Sequence, residues 1–303
     1  MSAAINSVPV TRRPAFPIRC WRATRPTIAY WFQTEVHVYA FSIAANVLLS
    51  FYPMLILLLS VCKKALHWQA GADAVTFALN DYFPASFIQW MAEDKYTKSI
   101  TSHGRLQLAS VLLLLFTSNG IFMPMEIALN RVWGCRENRS FIRNQIVSYV
   151  LIFACGALLM LSATLTALNN QFVAGVNVPA LAFASVFALH VAAVPITVLI
   201  LFLIYWILPN RRVQARDVLP AAIIVGLILE GLKYLNLVLQ PWTLRRLTAE
   251  YGYHFRYAVA VLFWGFVASM LILGGAEWTA RHRNAAVIDS EKSPPAGDNH
   301  VRF

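Results

Sequence analysis

Long runs without charged side chains alternate along the chain with short arginine-rich segments. A helix needs about 20 mostly apolar residues to cross the hydrocarbon core of a bilayer. The uncharged runs 36–62, 106–125 and 257–276 are each long enough for one crossing. The uncharged run 144–209 is too long for one crossing, and the polar cluster at 169–179 divides it into two. These runs predict five membrane-spanning helices.

A further spanning helix is predicted at 218–240, which is apolar except for Glu230 and Lys233. Because lipid offers no water to backbone polar groups, separate spans of this length are expected to be helical. We therefore predict an all-α, polytopic integral membrane protein that forms a six-helix transmembrane bundle. Its helices are expected at about residues 36–62, 106–129, 145–168, 180–208, 218–240 and 256–278.

Three segments outside these helices differ in composition. Residues 1–34 predict a cytoplasmic N-terminal arm, whose prolines disfavour an amphipathic helix. Residues 63–105 mix apolar and charged positions, which predicts an amphipathic exterior loop. Residues 283–303 have no apolar period and contain Ser, Pro, Gly and Asp, which predicts a disordered cytoplasmic tail. The transmembrane domain therefore occupies residues 35–282.

Composition and charge placement agree with a membrane protein. Hydrophobic residues make up 58% of the chain, charged residues only 13%, and the mean hydropathy is +0.57, which does not describe a soluble domain. The net charge of +11 falls largely in segments that six crossings place on one side, as the positive-inside rule requires. Arg131, Arg211 and Arg212 belong to these basic loops. We therefore expect cytoplasmic N and C termini, membrane lipids as partners and no nucleic acid.

Polar groups inside spanning helices are costly, so they are the first candidates for function. Glu230 and Lys233 are three residues apart, close enough to pair with each other or with a neighbouring helix. Pro53 and Pro124 predict kinks, because proline removes a backbone hydrogen bond. Two interpretations of the polar groups stay open: they line a polar path, or they form interhelical bonds that hold the bundle. The candidates are Asn119, Glu126, Asn130, Glu230, Lys233, Asn236 and Glu277.

Conventional enzyme motifs are missing from the sequence. It contains no Walker A sequence, no GxSxG and no HExxH, and its 7 histidines are scattered without metal-ligand spacing. No acid, base and nucleophile can be grouped from such a pattern. We therefore expect a protein that is not an enzyme, with no catalytic residues, no metal site and no cofactor.

The chain contains the blocks EIALNRVW at 126–133 and LPNRRV at 208–213. In this order and spacing they are specific, and they resemble the YihY/BrkB family of bacterial inner-membrane proteins, once labelled ribonuclease BN. The resemblance covers about residues 30–282. Further matching blocks are SFYP at 50–53, LNDYFP at 79–84 and GGAE at 274–277.

The resemblance implies a six-helix fold in the bacterial inner membrane without a cofactor. The molecular activity of the family is poorly defined, although its name carries an association with virulence and some relatives are connected with export of envelope lipids. The leading hypothesis is a transporter-like protein for an amphiphilic, envelope-lipid-related substrate, with polar faces of the second and fifth helices lining a path and the loop 77–91 over its exterior mouth. A non-transporting envelope scaffold or assembly factor is the alternative. A membrane-bound ribonuclease is least favoured, and a homo-oligomer stays open.

Overall fold

The computed structural model describes residues 16–80, 104–135, 140–174 and 194–292, and every regular element in these ranges is helical. This confirms the all-α prediction. A short π-helical turn, Val61–Ala65, extends the second helix. The helices are α1 (Phe16–Trp31), α2 (Thr34–Ser60), α3 (Gln69–Asn80), α4 (Gly104–Val132), α5 (Phe141–Ala174), α6 (Val194–Ile207), α7 (Ala215–Gly252) and α8 (Phe255–Arg283), with helical backbone continuing to Lys292.

Within the described ranges, five helices are long and apolar enough to cross a membrane. They are α7, α8 and the segments Thr34–Phe51 of α2, Val111–Val132 of α4 and Ile142–Ser162 of α5. The remaining predicted helix corresponds to α6, a shorter apolar helix, and residues 180–193 of that prediction lie outside the described residues.

The core lies between α2, α4, α6, α7 and α8. Its most deeply buried side chains include Leu129 of α4, Tyr205 of α6 and Leu273 of α8. Large apolar side chains also cover the outside of the helices: Phe116 is 77% exposed and Val238 is 76% exposed. An apolar exterior of this kind faces lipid in a membrane protein, because exposed apolar surface of this extent is unfavourable in water.

The N-terminal arm differs from its prediction, because Phe16–Trp31 is helical. Pro17 lies in the first turn, where a missing backbone N–H costs nothing. Pro26 lies inside the helix, but contacts of α1 with α8 hold this segment in place. The indole of Trp31 donates a hydrogen bond to the carbonyl of Met270, with 2.8 Å between nitrogen and oxygen. The expectation that prolines prevent a helix here was wrong.

Two further boundaries differ from the sequence interpretation. The expected connection after residue 240 is helical as far as Gly252, so α7 continues through Pro241. At about 1.5 Å per residue, a helix of 38 residues is longer than the hydrocarbon core is thick. The predicted disordered tail begins with helix, which ends at Lys292 just before a Ser-Pro-Pro sequence. Residues 293–303 lie outside the described residues.

The prolines with predicted kinks lie inside continuous helices. Both α2 at Pro53 and α4 at Pro124 stay helical across the proline. A separate, sharp break in the described helices is at Gly252, where φ is 76° and ψ is 171°. This backbone conformation is essentially restricted to glycine, because a Cβ atom clashes with the backbone. Gly252 therefore provides the turn that separates α7 from α8.

Replacing Gly252 tests this role of the backbone. A Cβ atom at Gly252 meets no atom within 4 Å, so Gly252→Ala adds only backbone strain, which we expect to lower the free energy of unfolding by about 1–3 kcal/mol. Gly231→Ala is the matched control: its Cβ also has open space, and alanine in a helix stabilises by about 0.5–1 kcal/mol. Thermal unfolding in detergent measures both, and equal melting temperatures for the two variants would contradict the proposed turn.

Candidate functional site

One end of the bundle collects arginine side chains, and we call it the basic end. Contacts among α1, α4, α8 and the linker between α6 and α7 bring these residues together. Arg131 forms an ion pair with Glu35 at the start of α2. The described arginines of the basic end include Arg131, Arg143, Arg211, Arg212, Arg281 and Arg283.

The two sequence blocks that carry the family resemblance meet at the basic end. The backbone N–H of Asn210, in the second block, donates to the side-chain oxygen of Asn130, in the first, at 2.6 Å. The amide nitrogen of Asn130 lies 3.4 Å from the Glu126 carboxylate, and both side chains are buried. The predicted candidates Glu126 and Asn130 therefore form one unit, which holds the linker 208–214 against the end of α4.

A second contact holds the same linker. The Arg211 guanidinium donates to the carbonyl of Trp133 at 3.3 Å. The ring of Trp133 is also approached by Arg283, whose guanidinium carbon lies 5.6 Å from the ring centre. Arg283 also approaches the carboxylate of Asp217, with 3.7 Å between nitrogen and oxygen. The linker is thus fixed at both Asn210 and Arg211.

Glu277 connects α8 to α1. The Thr27 hydroxyl donates to its carboxylate at 2.6 Å, and the Arg281 guanidinium donates to it at 3.0 Å and to the Thr27 oxygen at 3.1 Å. Burial, with the charge of Glu277 as the second cause, raises the pKa of Tyr30 to about 12. The phenol therefore stays neutral at physiological pH. Glu277 already has partners within the chain, which indicates a role in attaching α1.

The paired glycines before Glu277 allow two aromatic side chains to approach α8. A Cβ atom at Gly274 would lie 2.4 Å from the indole nitrogen of Trp31, and one at Gly275 would lie 2.6 Å from the hydroxyl oxygen of Tyr205. Tyr205 donates its hydroxyl proton to a backbone carbonyl of α8 at 2.7 Å. The GGAE block is therefore a packing surface for α1 and α6.

An open cavity of about 630 Å³ lies beside the linker, between α5 and α6. This volume is within the range of about 300–1,000 Å³ that is typical of ligand sites. The lining has a basic side with three arginines and an apolar side, and no carboxylate is among the lining residues that the structure describes. The lining residues are Arg143, Val147, Trp206, Ile207, Pro209, Asn210, Arg211, Arg212 and Val213.

The two sides of the cavity have distinct chemistry. The side chains of Arg143, Arg211 and Arg212 are exposed, so their donor groups remain accessible to an anion. Trp206 is 45% exposed and stacks on Phe202 with 5.7 Å between ring centres, which holds its ring at the rim. Tryptophan is favoured at membrane interfaces because its ring is apolar with one polar edge. The cavity therefore suits a molecule with an anionic head and an apolar body.

The second pair of candidates lies inside the bundle. The ammonium of Lys233 is 2.8 Å from the Glu230 carboxylate, and the two side chains are only 4% and 9% exposed. The hydroxyl of Thr197 on α6 donates to the other carboxylate oxygen at 2.7 Å. Glu230 thus joins α7 to α6 through a hydrogen bond. This geometry is that of an interhelical bond, which is one of the two interpretations of these polar groups.

The remaining candidates contribute no described cluster. Asn119 on α4 and Asn236 on α7 are each half-buried. Among the residues that the structure describes, no three His, Cys, Asp or Glu side chains are placed to hold a metal ion together. Sequence reasoning did not select Arg143, Trp206 or Thr197 as site residues. Of these three residues, only Arg143 could have been found from the sequence, because it lies among the basic residues between the second and third predicted helices.

Removing the Asn130 side chain tests its hold on the linker. Asn130→Ala leaves the N–H of Asn210 without its acceptor, so we expect a loss of about 1–3 kcal/mol in the free energy of unfolding. The released linker is expected to be cut faster by trypsin after Arg211 and Arg212. Cleavage after Arg245, far along α7, serves as the internal control. Unchanged melting and unchanged cleavage after Arg211 would contradict this role.

Two variants test the structural role of the Glu230–Lys233 pair. Lys233→Met leaves a buried carboxylate without its cation and is expected to cost about 3–5 kcal/mol. The double variant Glu230→Gln/Lys233→Met should recover most of that loss, because a neutral amide oxygen still accepts from Thr197. Unfolding in detergent measures both. A single variant as stable as the unmodified protein would show that water already solvates the pair.

Comparison with known proteins agrees with the architecture. A UPF0761 membrane protein of Acinetobacter baylyi is 26% identical over 79% of this chain and 57% of its own length. One from Prosthecochloris aestuarii is 27% identical over 85% of this chain and 61% of its own length. The putative ribonuclease-like protein YfkH of Bacillus subtilis is 25% identical over 77% of this chain and 85% of its own length. No solved structure matches.

The chain thus spans about three fifths of the length of the two UPF0761 proteins. The family model described as "Virulence factor BrkB" matches residues 28–299, which include α2 to α8 and both blocks that meet at Asn130 and Asn210. Five helices in this range are long and apolar enough to span a membrane. The chain belongs to the BrkB family of integral membrane proteins.

Proposed function

We propose that this protein is a transporter-like protein of the bacterial inner membrane that binds and moves an amphiphilic, envelope-lipid-related substrate, and that it is not an enzyme. The observation that carries the proposal is the cavity of about 630 Å³ with arginines on one side and apolar side chains on the other. An amphiphile has matching parts, an anionic headgroup and an apolar body. Membrane lipids are therefore the partner class that this lining fits best.

The proposal places the basic end in the cytoplasm. Its arginines follow the positive-inside rule, which relates basic loops to the cytoplasmic side. The contact of Thr27 with Glu277 and Arg281 brings α1 and the end of α8 to the same end of the bundle. An even number of crossings produces that arrangement. This supports six crossings with both termini in the cytoplasm, and hence a cavity that faces the cytoplasmic leaflet.

The proposal gives the Glu230–Lys233 pair a structural role. Its charges already neutralise each other at 2.8 Å, and Thr197 uses the other carboxylate oxygen. A headgroup that displaced these partners would leave a buried charge uncompensated, which is costly. We therefore locate headgroup binding in the arginine cavity rather than at this pair. Of the loop 77–91 that was expected over the exterior mouth, residues 81–91 lie outside the described residues.

Lipid movement in reconstituted vesicles tests the proposal. A fluorescent phosphatidylglycerol is placed in both leaflets, and dithionite then destroys the fluorescence in the outer leaflet. Vesicles with the protein are expected to lose the protected fraction faster than protein-free vesicles, and Arg143→Gln/Arg212→Gln is expected to slow this loss. The matched control Arg245→Gln/Arg246→Gln removes the same charge from exposed positions of α7 outside the cavity lining and should behave like the unmodified protein.

The scaffold alternative predicts a different result in this assay. A protein that only organises the envelope leaves the protected fraction the same as in protein-free vesicles. That outcome, obtained with folded protein that melts cooperatively in detergent, would refute transport. If all variants lose the protected fluorescence equally fast, and faster than protein-free vesicles do, the arginine cavity is refuted as the binding site.

A further inference from the structure

Exposed apolar side chains of α5 begin beside the arginine cavity. From Ile142 to Phe153 they repeat at intervals of three or four residues, and the next one follows after eight, so they share one face of the helix. Arg143 and Val147 lie at the same end of α5 and line the cavity. The exposed members of this stripe are Ile142 (72%), Ile146 (57%), Val150 (51%), Phe153 (64%) and Leu161 (50%). The basic side of the cavity is thus continuous with a long apolar surface.

A shorter stripe on α6 lies on the other side of the cavity. Leu199 is 42% exposed and Trp206 is 45% exposed, and their spacing of seven residues places them on one helix face. Trp206 belongs to the cavity lining. The cavity is therefore bordered by two apolar helix faces, which extend along α5 and α6 away from the basic end. A ligand with acyl chains can place them against these faces while its head stays among the arginines.

We infer that this cavity is a binding site for a single anionic phospholipid, with its phosphate held by Arg143 and Arg212 and its acyl chains lying along α5 and α6. Planar guanidinium groups bind phosphate oxygens in a bidentate manner, and Arg is suited to this role more than Lys. The linker contacts at Asn130 and Trp133 hold the linker that carries Arg212 in place before the lipid arrives. This inference deepens the proposed function. It depends on the proposed function for one point, namely that the lipid comes from the cytoplasmic leaflet.

The three arginines differ in their roles. Arg211 is already bonded to the Trp133 carbonyl and helps to fix the linker. Its replacement would change the fold of the linker together with the charge of the cavity. Arg143 and Arg212 line the cavity from α5 and from the linker, respectively, and both are exposed. These two are therefore the positions at which charge can be removed without disturbing the fold.

Native mass spectrometry of the full-length protein in detergent tests the site. The probes are short-chain phosphatidylglycerol, phosphatidylcholine of the same chain length, and glycerol 3-phosphate as a soluble phosphate without acyl chains. We expect phosphatidylglycerol to bind at one copy per chain and to bind at least about tenfold more tightly than either other probe. Affinity is also expected to fall as salt is added, because exposed charges are screened.

Paired variants identify the residues. Arg143→Gln/Arg212→Gln is expected to weaken phosphatidylglycerol binding by about tenfold or more, whereas Arg245→Gln/Arg246→Gln leaves it unchanged. Equal weakening in both double variants would overturn the site, since net charge alone would explain binding. Equal affinity for phosphatidylglycerol and glycerol 3-phosphate would overturn the lipid assignment in favour of a free phosphate. Tight, site-dependent binding without lipid movement in vesicles would support this inference and refute transport.

Discussion

The basic end depends on the hydrogen bond between the side chain of Asn130 and the backbone of Asn210. A polar group buried in a protein surrounded by lipid has no water to replace a lost partner, so each such bond constrains the fold strongly. This bond fixes the linker 208–214 to the end of α4. It thereby also determines the position of the cavity wall on the linker side, because Arg211 and Arg212 directly follow Asn210 in the chain.

The same constraint explains how the helices meet elsewhere. Helices in lipid gain little from burying apolar surface, so close approach and hydrogen bonds hold them together. Gly274 and Gly275 remove the Cβ atoms that would keep Trp31 and Tyr205 from α8. Both aromatic side chains then donate to backbone carbonyls of that helix. Glu277, one helical turn after Gly274, adds a charged contact with Thr27. Helix α1 is therefore attached to α8 through two residues, Trp31 and Thr27.

Much of the fold could be predicted from the sequence, because lipid imposes simple rules on composition. Uncharged runs of about 20 residues identified four of the five described helices that are long and apolar enough to span a membrane, and blocks such as LPNRRV identified the family. Helix α1 could not be predicted, since its stability comes from Trp31 and Thr27 contacting α8, far away in the chain. The turn at Gly252 was missed for a related reason: a glycine after a polar helical segment carries no sign of its φ angle.

The candidate site was only partly predictable. Spacing on one helix correctly suggested that Glu230 and Lys233 can pair, because residues three apart are neighbours on a helix surface. It could not show that Thr197 on α6 bonds to the same carboxylate, which adds a contact between two helices to the pair. The cavity was likewise hidden, since Arg143 and Arg212 are separated by the whole of α5 and α6 and meet only through the fold.

Accessibility decides which of the two charged sites suits a ligand. At the Glu230–Lys233 pair both charges are buried and compensated, so a ligand gains nothing that the protein does not already have. At the cavity, the guanidinium groups of Arg143 and Arg212 are exposed to water, and a phosphate replaces that water with stronger, charge-assisted bonds. A lipid that reaches them along the exposed faces of α5 and α6 keeps its acyl chains in an apolar environment throughout. Entry from the side of the bundle therefore needs no opening of the buried core.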